Sequence, residues 1–280
     1  MADSLAAASR QLASTLGLDN REARLEARVL AAHAWQVDHA WLIAHDTDPL
    51  NDTHAAAFAS LLAKRLEGVP IAYLVGTREF YGRPFLVTPD VLIPRPDTEL
   101  LVERALASIP PDQAMAVLDL GTGSGCIAVT LALERPKARV TAVDRSAAAL
   151  DVARRNAALL GASVEFLTSD WFAALDGRRF DCIVSNPPYI PVADPHLARG
   201  DVRFEPASAL ASGADGLADL RHLIAAARDH LVPGGLLLVE HGYDQAQAVR
   251  DLLIAHGYAQ VQSWPDLAGI PRVSGGQVSE

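Results

Sequence analysis

Lysine and cysteine are almost missing from these 280 residues. Lys64 and Lys137 are the only lysines beside 22 arginines, a bias that accompanies abundant alanine and reads as GC-rich coding rather than function. Cys126 and Cys182 both fall in apolar stretches with no pairing logic, so no disulfide framework is expected. They read as buried free thiols in a reducing compartment, which implies a cytoplasmic location. No apolar run approaches the ~20 residues that span a bilayer, so no membrane association is expected. The start, "MADSLAAASRQLAS", lacks a basic segment ahead of an apolar one, so no secretory signal is expected. Positive charge is short as well. The formal net charge is −10, with 9 basic against 13 acidic residues over 1–100 and 15 against 21 in the remainder. Proteins that grip duplex nucleic acid through phosphates carry a basic face, so no stable nucleic-acid binding is expected. The nine histidines show no metal-ligand spacing, and no G-x-S-x-G turn offers a serine nucleophile. Metal and hydrolase chemistry are therefore unsupported, and no metal is expected.

What is present is an ordinary globular composition, 50% hydrophobic and 21% charged, long enough for one large domain with a small companion. The first part reads as helices by apolar spacing. Leu5, Ala8, Leu12 and Leu16 mark one face, and Leu25, Val29, Ala32 and Trp35 another. A third helix begins at Asp52 or Thr53, stops at Gly68 and Pro70, and turns Phe58, Leu61, Leu62 and Leu66 inward. The stretch "VGTREFYGRPFLVTPDVLIPRPDTE" is punctuated by glycine and proline, which predicts a hairpin and then an extended linker. Asp97 or Thr98 is placed to cap the next helix, "ELLVERALASI". Beyond it, strands such as "MAVLDL", "ARVTAVD", "SVEFLTSD", "FDCIVSN" and "GGLLLVEHG" alternate with helices. That alternation predicts an α/β fold with a mostly parallel, doubly wound sheet. The resulting partition is a helical region over 1–72, a hairpin linker over 73–97 and an α/β domain over 98–280.

Two constellations carry chemistry. In "LDLGTGSGC", Gly121, Gly123 and Gly125 close the first strand and open a helix, where backbone can approach a ligand ahead of a helix N-terminus. At the end of the next strand stands Asp144, placed to accept hydrogen bonds from both hydroxyls of a ribose. The turn is G-x-G-x-G rather than the dinucleotide spacing G-x-G-x-x-G, which suits a ligand without a pyrophosphate, such as S-adenosylmethionine. Asp170 and Trp171, after the third strand, fall where an adenine would lie, and an indole can cover a base edge. The second constellation is "SNPPYIP", Ser185 to Pro191, at the end of the fourth strand. Pro187 and Pro188 have fixed φ and offer carbonyls only. The Asn186 oxygen and the Pro187 carbonyl together could accept both hydrogens of a substrate –NH2, with Tyr189 stacked on the flat group behind it. Catalysis would then come from positioning a poor nitrogen nucleophile.

N-P-P-Y, the "GTGSG" turn and the run "LIPRPDTELLVE" together resemble the PrmC/HemK family. The resemblance extends from "EAR" near residue 22 through "GTREFYG", "SDWF", "DPHLARGDVRFEP" and "EHG". Enzymes of that family transfer a methyl group from S-adenosylmethionine to the side-chain amide nitrogen (N5) of the glutamine in the Gly-Gly-Gln motif of peptide chain release factors, tuning translation termination. The resemblance implies a seven-stranded Rossmann-like methyltransferase domain with a small N-terminal helical bundle and a β-hairpin linker. It implies that Gly121, Thr122, Gly123, Ser124, Gly125, Asp144, Asp170, Trp171 and Asn186 contact the cofactor. Asn186, Pro187, Pro188 and Tyr189 would form the pocket for the glutamine, the catalytic work falling to Asn186, Pro187 and Tyr189. The helical domain and hairpin would help dock the release factor, and a monomer is expected. Arg95 and Glu205 lie in family-like segments, their roles open between catalysis and a loop-anchoring ion pair.

N-P-P-Y alone also marks amino-methyltransferases of adenine or cytosine, and that is the nearest alternative. It is disfavoured by the acidic charge of both parts of the chain and by the lack of a long insertion for base recognition. A non-catalytic cofactor binder and a nicotinamide oxidoreductase are further alternatives, opposed by the intact N-P-P-Y and by the glycine spacing. Near the end, Gly275, Gly276 and Gln277 repeat the family's own target triplet. The double glycine predicts an irregular last strand there, and the triplet raises self-methylation at Gln277 as a hypothesis.

Overall fold

Capping side chains begin most of the helices at the start of the chain. The first, α1 (Ala2–Leu16), ends on Gly17 in the left-handed conformation. Asp19 accepts from the N–H groups of Arg21 and Glu22 to open α2 (Asn20–Trp35), and Asp38 from Trp41 to open the short α3 (His39–Ala44). Asn51, one residue ahead of the predicted start, caps α4 (Asp52–Leu66) through the His54 N–H at 2.8 Å. A last turn and a half forms α5 (Ile71–Val75). Leu12, Leu30, Trp35 and Phe58 centre the core of this bundle.

The buried face of α2 differs from the predicted one. Of the predicted face, Trp35 is buried but Leu25 is 57% exposed, and the buried positions are Ala23, Glu26, Ala27, Leu30 and Ala31 with Trp35. The reason is charge: Arg65 of α4 donates from Nε to Glu26 Oε2 at 2.8 Å and from Nη1 to Asp201 at 2.9 Å. A paired carboxylate therefore sits where apolar spacing alone places a leucine.

The computed structural model describes residues 1–279, and these form two compact units. One comprises Met1–Thr77 with Ala198–Phe204; the other takes the remaining described residues. Among the described residues, no helix is long and apolar enough to cross a membrane. The predicted hairpin is present as β1 (Thr77–Phe80) and β2 (Arg83–Leu86). Tyr81 and Gly82 both take positive φ, 51° and 71°, as a two-residue hairpin turn requires. After the linker comes α6 (Glu99–Ser108).

The α/β unit then runs β3 (Ala116–Leu120), α7 (Cys126–Glu134), β4 (Arg139–Asp144), α8 (Ala147–Leu160), β5 (Val164–Thr168) and β6 (Phe180–Ser185). It continues with α9 (Ala218–Ala227), β7 (Leu231–Glu240), α10 (Ala246–Ala255), β8 (Tyr258–Pro265) and β9 (Pro271–Val278). The strands form one seven-stranded sheet in the order β5-β4-β3-β6-β7-β9-β8. The first five are mutually parallel, and β9 is antiparallel to both neighbours. Alternate side chains feed two cores. Val117, Cys182 and Val184 face α6 and α7, while Leu118, Ile183 and Leu237 face α9 and α10. Each fully buried leucine of this kind contributes about 1.5–3 kcal/mol, enough to pin the strand register.

The double glycine does not break the last strand. Gly275 pairs with Leu238 and Gln262; opposite the glycines the extra residues fall in β8, between Ala259 and Gln262, and a second register shift lies away from them, between Trp264 and Pro265. Space explains the glycines: a Cβ on Gly275 would lie 2.6 Å from the Leu237 carbonyl oxygen, and one on Gly276 would lie 2.9 Å from Tyr258 Cβ. Gln277 pairs with Leu236, four residues back from Glu240 at the carboxyl end of β7. At the usual rise this is about 13 Å along the strand from that end, so the triplet is a packing feature and is not offered to the chain's own crevice.

Candidate active site

Register decides what stands at the carboxyl edge of the sheet. Leu120 pairs with Val143 on one side and Ser185 on the other; Asp144 pairs with Thr168, and Ser185 with Val239. Thr168, Asp144, Gly121, Asn186 and Glu240 therefore form one row across five strands, with Ser169 one residue beyond it. The chain leaves β3 toward β4 and β5 on one side, with β6 and β7 on the other, and ligands of open α/β sheets bind in the crevice at such a reversal. A cavity of about 310 Å³ lies there, within the range of small-molecule sites.

Most of the predicted residues meet in its wall: Gly121, Thr122, Gly123, Ser124, Asp144, Asp170, Trp171, Asn186 and Pro188. Three stand outside it. Gly125 caps α7, where a Cβ would press to 3.0 Å on Ala153 of α8; Pro187 is buried; Tyr189 is turned toward Glu240. Gly121 and Gly123 have φ of 72° and 55°. A Cβ on Gly121 would fill the gap to the Trp171 indole at 3.6 Å, so the turn and the ring bound one slot. Trp171 itself has φ 48°, uncommon for a bulky residue. Its strained turn is held by Ser169, whose hydroxyl donates to the Trp171 carbonyl at 2.8 Å and accepts from the Ala174 N–H at 3.0 Å. Asn156 of α8 steadies the turn from the other side, donating to the carbonyls of Ser124 and Leu86 at 2.8 and 3.0 Å.

Electrostatically the crevice suits a cation. Asp90, Asp144, Asp170 and Asp219 line it against Arg95 and Arg145. The Asp144 oxygens accept from the Gly123 and Ser146 N–H groups at 2.9 and 2.8 Å, which holds the carboxylate at the rim with lone pairs to spare. Beneath the turn, buried Asp119 accepts from Thr122 Oγ1 at 2.6 Å and the Ala128 N–H at 3.2 Å, while its Oδ1 makes no hydrogen bond among the described residues. Burial pushes its pKa up to about 7.

Asn186 is oriented by a residue that sequence reading assigned elsewhere. Its Nδ2 donates to Thr98 Oγ1 at 3.1 Å, which leaves the amide oxygen as the group it can offer. Thr98, predicted as a possible helix cap, has helical φ and ψ and makes no capping bond. Its hydroxyl also faces the Glu240 carboxylate and favours the charged form, although Oε2 makes no hydrogen bond of ordinary geometry among the described residues. The Tyr189 hydroxyl donates to Glu240 Oε1 at 3.2 Å. Burial pushes Glu240 up to about 7 and raises Tyr189 well above its ordinary value, with the Glu240 charge adding to the latter. Glu205 is a loop anchor: buried, it accepts from Arg95 and, at 3.0 Å, from the Ile93 N–H. Of the two readings open for Arg95 and Glu205, the ion pair is the one present.

Comparison with known proteins follows the same two units. The family model described as "PrmC N-terminal domain" matches residues 3–76, and "Methyltransferase small domain" matches 96–198. The release factor glutamine methyltransferase of Bordetella pertussis is 57% identical over 256 residues, covering 91% of this chain and 95% of that protein. That of Burkholderia pseudomallei is 56% identical over 261 residues, with 91% and 92% covered. This chain belongs to the release factor glutamine methyltransferase family. A more distant relative, the Escherichia coli enzyme of the same name, is 49% identical over 228 residues, with 81% and 82% covered. Among solved structures, a methyltransferase from Pyrococcus furiosus matches with a TM-score of 0.55 at 20% identity, covering 79% of this family member and all of that chain. A Thermus thermophilus 16S rRNA methyltransferase, solved with S-adenosylmethionine and guanosine, matches with a TM-score of 0.53 at 22% identity, with 72% and 49% covered. These two share the fold.

Proposed function

We propose that this chain transfers a methyl group from S-adenosylmethionine to the side-chain amide nitrogen of the Gly-Gly-Gln glutamine in a peptide chain release factor. The observation that carries the reading is the state of Asn186: with Nδ2 held by Thr98, it presents an acceptor at the cavity wall beside the glycine turn. The residues present fit the cofactor. Gly121 leaves a gap to the Trp171 ring that a side chain would fill, Gly123 lines the cavity beside it, Asp144 is placed for ribose hydroxyls, Asp170 and Trp171 for the adenine, and the acidic wall suits a sulfonium and an ammonium. When bound, the cofactor supplies an electrophilic methyl group.

The rest is the work of the chain's own groups. An amide nitrogen is a poor nucleophile because its lone pair is delocalised into the carbonyl. Accepting both N–H hydrogens at Asn186 Oδ1 and the Pro187 carbonyl fixes the plane of the amide and the direction of that lone pair. Pro188 stiffens the strand end at the cavity wall, and the Tyr189 hydroxyl is held toward Glu240. No strong base is needed early, since the nitrogen becomes acidic only as the new bond forms. The helical unit and the hairpin dock the release factor. The buried thiols of Cys126 and Cys182, both pushed up to about 12 by burial, suit a reducing, cytoplasmic setting.

Two acceptors also limit the product to one methyl group, because a methylated nitrogen keeps a single hydrogen. Tandem mass spectrometry of a release factor treated with enzyme and cofactor is expected to place one methyl on the Gly-Gly-Gln glutamine and no second. A dimethylated glutamine, or a methyl on another residue, would reject the two-acceptor pocket.

A further inference from the structure

An amide side chain presents the same outline when turned over, so shape alone does not keep the Asn186 oxygen on the substrate side. The donor and acceptor pattern behind it has to do so. Thr98 Oγ1 receives the Nδ2 hydrogen, which leaves its one hydroxyl hydrogen to point elsewhere. The acceptor that faces it is Glu240, 2% exposed, at the end of β7 in the row that register aligns with Asn186. The same carboxylate takes the Tyr189 hydroxyl at 3.2 Å. Its second oxygen, Oε2, is buried and makes no hydrogen bond of ordinary geometry among the described residues, so no other donor there competes with Thr98 for it.

We propose that Glu240 is a positioning residue for methyl transfer: by accepting the hydroxyl hydrogens of Thr98 and Tyr189, it locks the Asn186 amide with its oxygen toward the substrate. While Glu240 accepts, the Thr98 lone pairs face Asn186 and only the –NH2 end of that amide fits against them. Once Glu240 stops accepting, the Thr98 hydrogen is free to swing to Asn186, and the turned-over amide, which offers hydrogens where the substrate also offers hydrogens, becomes equally stable. Other ionisable groups around Glu240 are Tyr189 after β6, Asp97 ahead of α6, Cys126 at the start of α7, Arg272 on β9 and His241 next in the chain. The His241 ring is directed away, to the Gly242 carbonyl and Ser274. The raised pKa of Glu240, about 7, places its loss of acceptor capacity within reach of a pH titration.

The inference rests on the proposed amide methylation, and the test separates the two: an inactive wild-type chain rejects that reading, whereas the variants are scored against an active one. The full chain, Glu240→Gln and Thr98→Val are assayed with labelled S-adenosylmethionine and a purified release factor. Both variants are expected to lose about 10- to 100-fold in kcat, as a misplaced reactive group does, with KM for the cofactor little changed. The double variant is expected to lose no more than either single one, because both break one chain of bonds. In the wild type, kcat is expected to fall as pH drops through about 7, and in Glu240→Gln that acid limb is expected to vanish. Losses that add in the double variant, or an acid limb that survives in Glu240→Gln, would overturn the proposal. Thr98→Val and the wild-type pH profile keep the test decisive if Glu240→Gln does not fold.

Discussion

At the scale of single residues, Asn186 and Asp144 divide the labour between chemistry and binding. Asn186→Ala removes an acceptor from a half-buried strand end without opening the core, so methyl transfer is expected to fall about 100- to 1000-fold while far-UV circular dichroism stays unchanged. Turnover within a few-fold of wild type would contradict the positioning role. Asp144→Ala is expected to weaken cofactor affinity by about 10- to 100-fold, the value of one charge-assisted hydrogen bond, as read by calorimetry. Unchanged affinity would reject the ribose assignment. Both residues are legible in the sequence because each is a chemistry-bearing side chain just past an apolar, β-branched run. Thr98 and Glu240 are not. A threonine ahead of "ELLVE" reads as a helix cap, and Glu240 stands out only as part of the family-like "EHG" run, with no role attached. Only the register, which sets Val239 beside Ser185, reveals that Glu240 lies buried next to Asn186.

Elements were readable where one period dominates. The α8 boundaries, Ser146 as the cap and Gly161 as the stop, follow from the sequence because both ends carry their own chemistry. The inner face of α2 did not, since apolar spacing gives no credit to Glu26, whose burial depends on Arg65 39 positions away. In β9 the reverse holds: glycine suggests weakness, yet the strand needs it for lack of room beside Tyr258 and Leu237. Gly276→Ala is therefore expected to cost about 1–3 kcal/mol in chemical denaturation, as overpacking does, while leaving kcat unchanged in the folded protein. A variant of wild-type stability would show that β8 yields freely at its bulge.

For the whole molecule, the alternation of strands and helices and the glycine-proline linker announce an α/β domain behind a helical one. No local signal marks the association of Ala198–Phe204 with the helical unit, because it depends on Arg65 and Asp201, 136 positions apart. Net charge bears on function at this scale. A chain at −10 gains little from phosphate contacts, which supply most of the affinity for nucleic acid. A protein acceptor held by shape and by a two-acceptor pocket fits better. The most direct test supplies labelled S-adenosylmethionine with three acceptors: a purified release factor, its Gly-Gly-Gln→Gly-Gly-Ala variant, and duplex DNA. Label on the unmodified release factor alone is the expected result; label on DNA, or equal label on the Gly-Gly-Ala variant, would contradict glutamine methylation.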